Sequence, residues 1–249
     1  MRPILQSHVP YDVSDLSLPG VKPFEMKNWL WQDDAFAEQM ALRDMLVLQQ
    51  YPDVVGVTEA GRAAADELLV FVLDWLHAHG TGYAVSKNEV HRPDGVDVPI
   101  DRNDPMGTLG RLVQEDLCVL TKHPEASEHT LAAAALCFPA SWRLQDKLGR
   151  SLVAIHDPVP SYDGSIARRV QRLFDGVQAD RPMWRFNALN YADPSLHQPD
   201  RRDDEYARSG ASDAYFRSER QCILRLPETQ ACVFSIHTFV VLQAGYGRV

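Results

Sequence analysis

The sequence predicts an α+β protein in which a helical layer packs on a small, mostly antiparallel sheet. Three observations lead there. Apolar residues recur at helical spacing through the first half of the chain, β-rich runs crowd the second half, and the last two of these runs are joined by a hairpin-length loop. At 249 residues the chain is long enough for one domain with a substantial core, and 45% apolar against 24% charged residues is the balance of a globular protein.

The elements follow in order. The first thirty residues carry Pro3, Pro10, Pro19 and Pro23 and end in Trp29 and Trp31, which reads as an extended arm pinned by aromatics. A helix is expected from roughly Asp33 to Gln50. A second is clearer: Thr58 is its N-cap, and Ala65, Leu68, Leu69, Val72 and Leu76 keep helical spacing until Gly80. A third opens with Asp104 and Pro105, an N-cap followed by an N1 proline, and lays Leu109, Leu112, Val113, Leu117 and Leu120 on one stripe. The polar stretch from His91 to Asn103 reads as a surface loop.

The texture changes after about residue 125. Leu131 to Phe138 is apolar and stops at Pro139, and its four alanines leave it open between buried strand and short helix. Ser151 to Ile155 is a short β-rich run ending at His156. A helix near Ser165 places Ile166, Val170, Leu173, Phe174 and Val177 on one face. Strands are expected at Met183 to Asn190, Gln221 to Leu226 and Ala231 to Leu242, the last two joined by Pro227, Glu228, Thr229 and Gln230. The whole, 1–249, reads as one unit, with an arm and helical layer over 1–125 and a sheet-bearing core over 126–249.

Charge and motifs exclude several classes. Lys plus Arg number 25 against 34 Asp plus Glu, a net −9, which argues against duplex nucleic acid or an anionic membrane as partner. No run of eighteen apolar residues occurs and Met1 to Pro10 lacks the apolar centre of a secretory signal, so a cytoplasmic protein is expected. Cys118, Cys137, Cys222 and Cys232 form no CxxC pair, and GxGxxG, GxxxxGK[ST], HExxH and a Ser/His/Asp order are all missing. Redox chemistry here would need another cofactor, or a partner that brings electrons.

The most specific pattern is Leu136 to Tyr162, with Phe138, Pro139, Ala140, Trp142, Arg143, Asp146, Lys147 and Gly149 followed by His156, Pro158, Val159 and Pro160. With it go Gly110 to Leu120, the strand Arg185 to Asn187, the run Arg217 to Thr229 and the strand Val233 to Phe239. Together they resemble the family of haem-dependent oxidative N-demethylase α-subunit-like proteins, from about Trp29 onward. The resemblance implies a PAS-like core over 126–249 holding haem b, a small secondary amine such as dimethylamine and O2 as substrates, formaldehyde as product, and separate flavin and iron–sulfur reductase subunits. A PAS-like haem or small-ligand sensor without catalysis is the alternative, and a member that has lost haem a third.

The residues admit a physical reading beside this. Haem iron takes a neutral imidazole held at a fixed angle, and His156 precedes Pro158 and Pro160, which fix the backbone just beyond it. A structural histidine is the other reading. Arg143, Lys147, Arg185 and Arg225 are candidate partners for the propionates, with surface ion pairing as the ordinary alternative. Phe138, Val153, Phe186, Ile223 and Phe234 are candidate pocket walls or plain core. Glu219, with Arg220 beside it, could point a charge into the pocket, and Tyr162 and His237 are candidates for polar groups near the iron. Asp116, on the expected helix stripe beside Glu115, needs a partner such as an arginine if buried; contact with a cationic amine or a proton relay is its functional reading.

Overall fold

A computed structural model describes residues 2–14, 20–156, 164–200 and 214–246, and their side chains except at residues 156 and 164–167. The α+β expectation holds. The helices are α1 (Phe36–Gln49), α2 (Tyr51–Val54), α3 (Arg62–His79), α4 (Pro105–Gly110), α5 (Leu152–His156) and α6 (Gly164–Gly176). The strands are β1 (Lys22–Pro23), β2 (Val55–Val57), β3 (Ala84–Val85), β4 (Glu89–His91), β5 (Asp97–Pro99), β6 (Asp116–Thr121), β7 (Thr130–Ala135), β8 (Met183–Tyr191), β9 (Tyr215–Arg225) and β10 (Cys232–Leu242). Seven strands form one antiparallel sheet in the order β1-β8-β9-β10-β6-β7-β2, and β3-β4-β5 form a small second sheet. The large sheet draws β1, β2 and β6 from the first 125 residues, so helices and sheet do not separate at that point. No helix among the described residues is long and apolar enough to cross a membrane.

The large sheet is buried on both faces, and alternation sorts its side chains. Leu117 and Val119 join the core made with α1, α3 and α4, while Cys118 and Leu120 join the one made with α5 and α6. We call these the first and the second face. On the first, Leu68, Leu69, Val72 and Leu76 of α3 and Leu109 of α4 meet Ala133, Ala135, Leu224 and Val233. On the second, Leu144, Leu152, Phe174 and Val177 meet Leu131, Ala134, Ile223 and Cys232. The aromatic arm lies on the first face, where Trp29 is fully buried and donates to Ser235 Oγ at 2.9 Å.

Several expectations are corrected. The third helix ends at Gly110, and the rest of its stripe is strand β6. Leu117 to Leu120 is apolar at every position, which suits a strand covered on both sides and not a one-sided helix. The stretch His91 to Asn103 is no loop: Val90 and Val98 pair as fully buried residues, and Gly95, at φ +82°, turns the Asp94–Gly95 hairpin between them. Ser151 to Ile155 is helical, with Ile155 N donating to Ser151 O at 2.9 Å, since five residues are too few for periodicity to decide. Strand β9 starts six residues before the expected Gln221, at Tyr215, because charged residues on it are buried and bonded. Leu131 to Phe138 resolves as strand β7, whose alanines admit α3 closely: a Cβ on Gly61 would meet Ala132 O at 2.4 Å. The expected cap at Asp104 forms, to Gly107 N, whereas Thr58 caps the short 3-10 turn Glu59–Gly61 that leads into α3, through Gly61 N, and Gly61 is the N-cap residue of α3 itself.

Candidate functional site

The middle of the second face departs from apolar packing. Strand register sets Arg185 opposite Gln221, Asn187 opposite Glu219 and Leu189 opposite Arg217, with Thr238 beyond Glu219. Glu219 organises this band. Its oxygens accept from Asn187 Nδ2 at 3.0 Å, Arg217 Nε at 3.2 Å and Gln221 Nε2 at 3.3 Å. Gln221 Oε1 in turn accepts from Arg185 Nη1 at 3.3 Å. Arg217 also donates to Leu196 O at 3.1 Å and Phe138 O at 2.7 Å, which ties the chain after β8 to the chain after β7.

Buried polar groups are paired as a rule, and here two are not. In this band Arg185 Nε and Thr238 Oγ1 have no hydrogen-bond partner among the described residues, as is also true of Arg43 Nη2, Glu115 Oε2 and Arg220 Nε in the networks under the helical layer and arm. Burial lowers the Arg185 guanidinium from its ordinary value, against the pull of Glu219. Nearby apolar side chains are also left partly open: Met183 and Phe234 are half-buried and Leu189 is 52% exposed. A half-buried arginine with a donor to spare beside open apolar surface suits an amphipathic acid.

The other expected residues divide by face. Leu152 and Ile155 anchor α5 on the second-face core, which brings the backbone of His156 to this side; its side chain lies outside the described residues, as does Tyr162. Lys147 donates to Ile155 O on the same layer. Arg143 pairs with Asp200 and is half exposed. Arg225 spends its donors on Val177 O, Phe174 O and Gln230 O, each at 2.6 Å, and so closes the C-terminus of α6.

His237 does not join Glu219. It pairs in register with Arg220, on the first face, because residues one apart on a strand point to opposite sides. There it is fully buried, with Nδ1 2.9 Å from Glu115 Oε1 and Nε2 3.0 Å from Asp33 Oδ2. Two carboxylates can only accept from an imidazole that donates through both nitrogens, so the ring is an imidazolium. Burial opposes that charge, but Glu115 and Asp33 outweigh it and raise the pKa to about 9. Arg220, on the same face, donates to Trp29 O and Asn28 O, with its guanidinium 4.1 Å from the centroid of the Trp31 ring. Phe186 likewise belongs to the first-face core, Phe138 packs with the helical layer, and Val153 is 40% exposed; of the expected walls, Ile223 and Phe234 lie on the second face.

Asp116 finds the arginine partner it needed. Arg43 Nη1 lies 2.7 Å from its carboxylate, which also accepts from Cys137 N and Phe138 N at 2.7 and 2.9 Å. These bonds fix the exit of β7.

A family model described as haem-dependent oxidative N-demethylase, alpha subunit-like, matches residues 20–243. The chain belongs to that family. The match covers every strand and helix described above. Haem dependence and the existence of further subunits come with membership of an N-demethylase alpha-subunit-like family. The second face fits haem: Arg185 has an unpaired donor for a propionate, Met183, Leu189 and Phe234 offer apolar surface to a ring, and Arg217 of the polar band bonds the carbonyl of Leu196, next to His197.

Sequence reasoning missed Asn187, Arg217, Gln221 and Thr238 as members of the band, although alternation along the Arg217 to Thr229 run could have grouped Arg217 and Gln221 with Glu219. It also missed His197. That residue lies between β8 and β9, where no periodicity points inward, and its Nδ1 is 2.8 Å from Cys137 O.

Proposed function

We propose that this chain is the haem-carrying subunit of an enzyme that oxidatively removes a methyl group from a small secondary amine of the dimethylamine kind. The observation that carries this reading is the polar band on a covered sheet face, with Arg185 incompletely paired, in a chain of this family. The sheet with α5 and α6 on its second face is taken as a PAS-like core. Haem b, when bound, supplies oxygen activation and the oxidising power at the methyl carbon. The carbon leaves as formaldehyde, which keeps one oxygen atom of O2; the other leaves as water, and flavin and iron–sulfur partner subunits supply the electrons.

The chain's own residues bind and orient. Arg185 holds a propionate, with Lys147 and Arg143 as further cations on the same side, and Arg225 holds α6 in place. Glu219, fixed by Asn187, Gln221 and Arg217, accepts the N–H of the amine and so positions its methyl group. Tyr162 supplies a hydroxyl beside the reacting carbon. An imidazole to hold the iron would come from His156 or His197.

Titration of the apoprotein with hemin, followed by a pyridine haemochrome assay, tests the first half. Saturable binding and a Soret band are expected, with affinity reduced about 10-fold or more in Arg185→Ala. A protein that stays colourless ends the proposal. With an artificial reductant, O2 and dimethylamine, the loaded protein is expected to form formaldehyde in proportion to amine consumed. Haem uptake without amine-dependent formaldehyde would make it a haem-binding sensor instead.

A further inference from the structure

We infer that His197, through Nε2, is the protein ligand of the haem iron. The inference deepens the haem reading above and rests on it. It starts from the nine histidines of the chain. His8, His77, His79 and His91 are exposed on the arm, on α3 and on the small sheet, and His123, exposed on the loop after β6, lies beside His129 and Arg225 and accepts from Glu125 N at 3.3 Å through Nδ1. His237 is buried on the opposite face with both ring nitrogens held by carboxylates. His129 is buried on the second-face side, but Gln171 Nε2 lies 2.9 Å from its Nδ1 and the Cys232 thiol 3.7 Å from its Nε2, so neither nitrogen is left over. His156 and His197 remain.

His197 has the geometry of a ligand already oriented. A carbonyl oxygen only accepts, so the 2.8 Å contact with Cys137 O places the ring proton on Nδ1. The neutral ring then carries its lone pair on Nε2, which takes no hydrogen bond among the described residues. An imidazole whose far nitrogen donates to a backbone carbonyl has its tautomer and ring angle set before a metal arrives, and its basicity raised. The carbonyl is itself anchored. Cys137 N and Phe138 N donate to buried Asp116, and Arg217 bridges Phe138 O and Leu196 O, the residue before His197. Gln198 N donates to Pro139 O at 3.0 Å, and Ser141 N to Gln198 O at 2.9 Å, so the segment that carries His197 is paired to the segment that follows Cys137. Arg217 also bonds Glu219, which joins this mount to the polar band that holds Arg185. His156, by contrast, ends a five-residue helix.

The decisive experiment is absorption and EPR spectroscopy of hemin-loaded wild type, His197→Ala, His197→Met and His156→Ala, with near-UV circular dichroism of each apoprotein as a check on folding. The expected result is an imidazole-ligated spectrum in wild type and His156→Ala. His197→Ala should lose it, with haem affinity down about 10-fold or more, and regain it when free imidazole is added. His197→Met keeps side-chain bulk and reports on the ligand if the alanine variant does not fold; its spectrum should change in kind. An unaltered spectrum in a folded His197 variant, or loss in His156→Ala with rescue by imidazole there, overturns the assignment while leaving the haem reading intact. Wild-type protein that takes up no haem overturns both.

Discussion

His237 shows how one buried ring can tie together segments far apart in sequence. Its imidazolium joins the loop before β6, through Glu115, to the segment before α1, through Asp33. Asp33 is in turn held by the amides of Gln114 and Gln6, each at 2.9 Å. The ring's pKa, raised to about 9 when folded, exceeds the roughly 6.5 of an unfolded histidine. A raised pKa contributes its full stabilisation below about pH 6.5 and loses it as pH climbs through 9. We therefore expect the unfolding free energy to fall between those limits, by on the order of 3 kcal/mol at most, read as a melting temperature that declines across the range. His237→Phe should start less stable and lack that slope; a variant that keeps it would move the titration to another group.

At the scale of elements, the connection that matters is the one around Asp116. Its carboxylate holds Arg43 of α1 and the two amides just after β7, so one side chain ties the helical layer to the sheet and to the connection that carries Cys137. Both charges are almost fully buried, at 0% and 1% exposure. Removing one partner strands the other in a low-dielectric interior, which costs about 3–5 kcal/mol. Asp116→Ala is thus expected to lower the unfolding free energy by that amount, read as a lower urea midpoint at unchanged slope, and to weaken haem uptake by releasing the Cys137 carbonyl. The need for a partner was legible in the sequence, because a carboxylate among leucines cannot stay unpaired. The element was not. Asp116 opens a strand, and the helical stripe continues from Leu112 to Leu120 by coincidence of spacing across a strand covered on both faces. Likewise the Asp94–Gly95 turn between Val90 and Val98 marked a hairpin that the polarity of its neighbours concealed.

At the scale of the molecule, the two faces of one sheet carry different tasks. The first is closed by helices and the arm around Trp29, and supplies stability. The second mixes core with a polar band left incompletely paired, an arrangement tolerated where a ligand completes it. A ligand that binds only the folded chain stabilises it by mass action, about 2.7 kcal/mol at a hundredfold excess over its dissociation constant. Loading with hemin should therefore raise the melting temperature in calorimetry, and less so in Arg185→Ala; equal melting with and without hemin would place haem elsewhere or nowhere. From the sequence alone came the α+β class, the family, the cap at Asp104, three of the late strands and the alternation that sends neighbours such as Glu219 and Arg220 to opposite faces. These rest on local spacing, which a linear chain displays. Which face each strand turns to the helices, that His237 lies across the sheet from Glu219, and that His197 meets Cys137 were decided by the tertiary structure, because each depends on pairing between segments far apart in sequence.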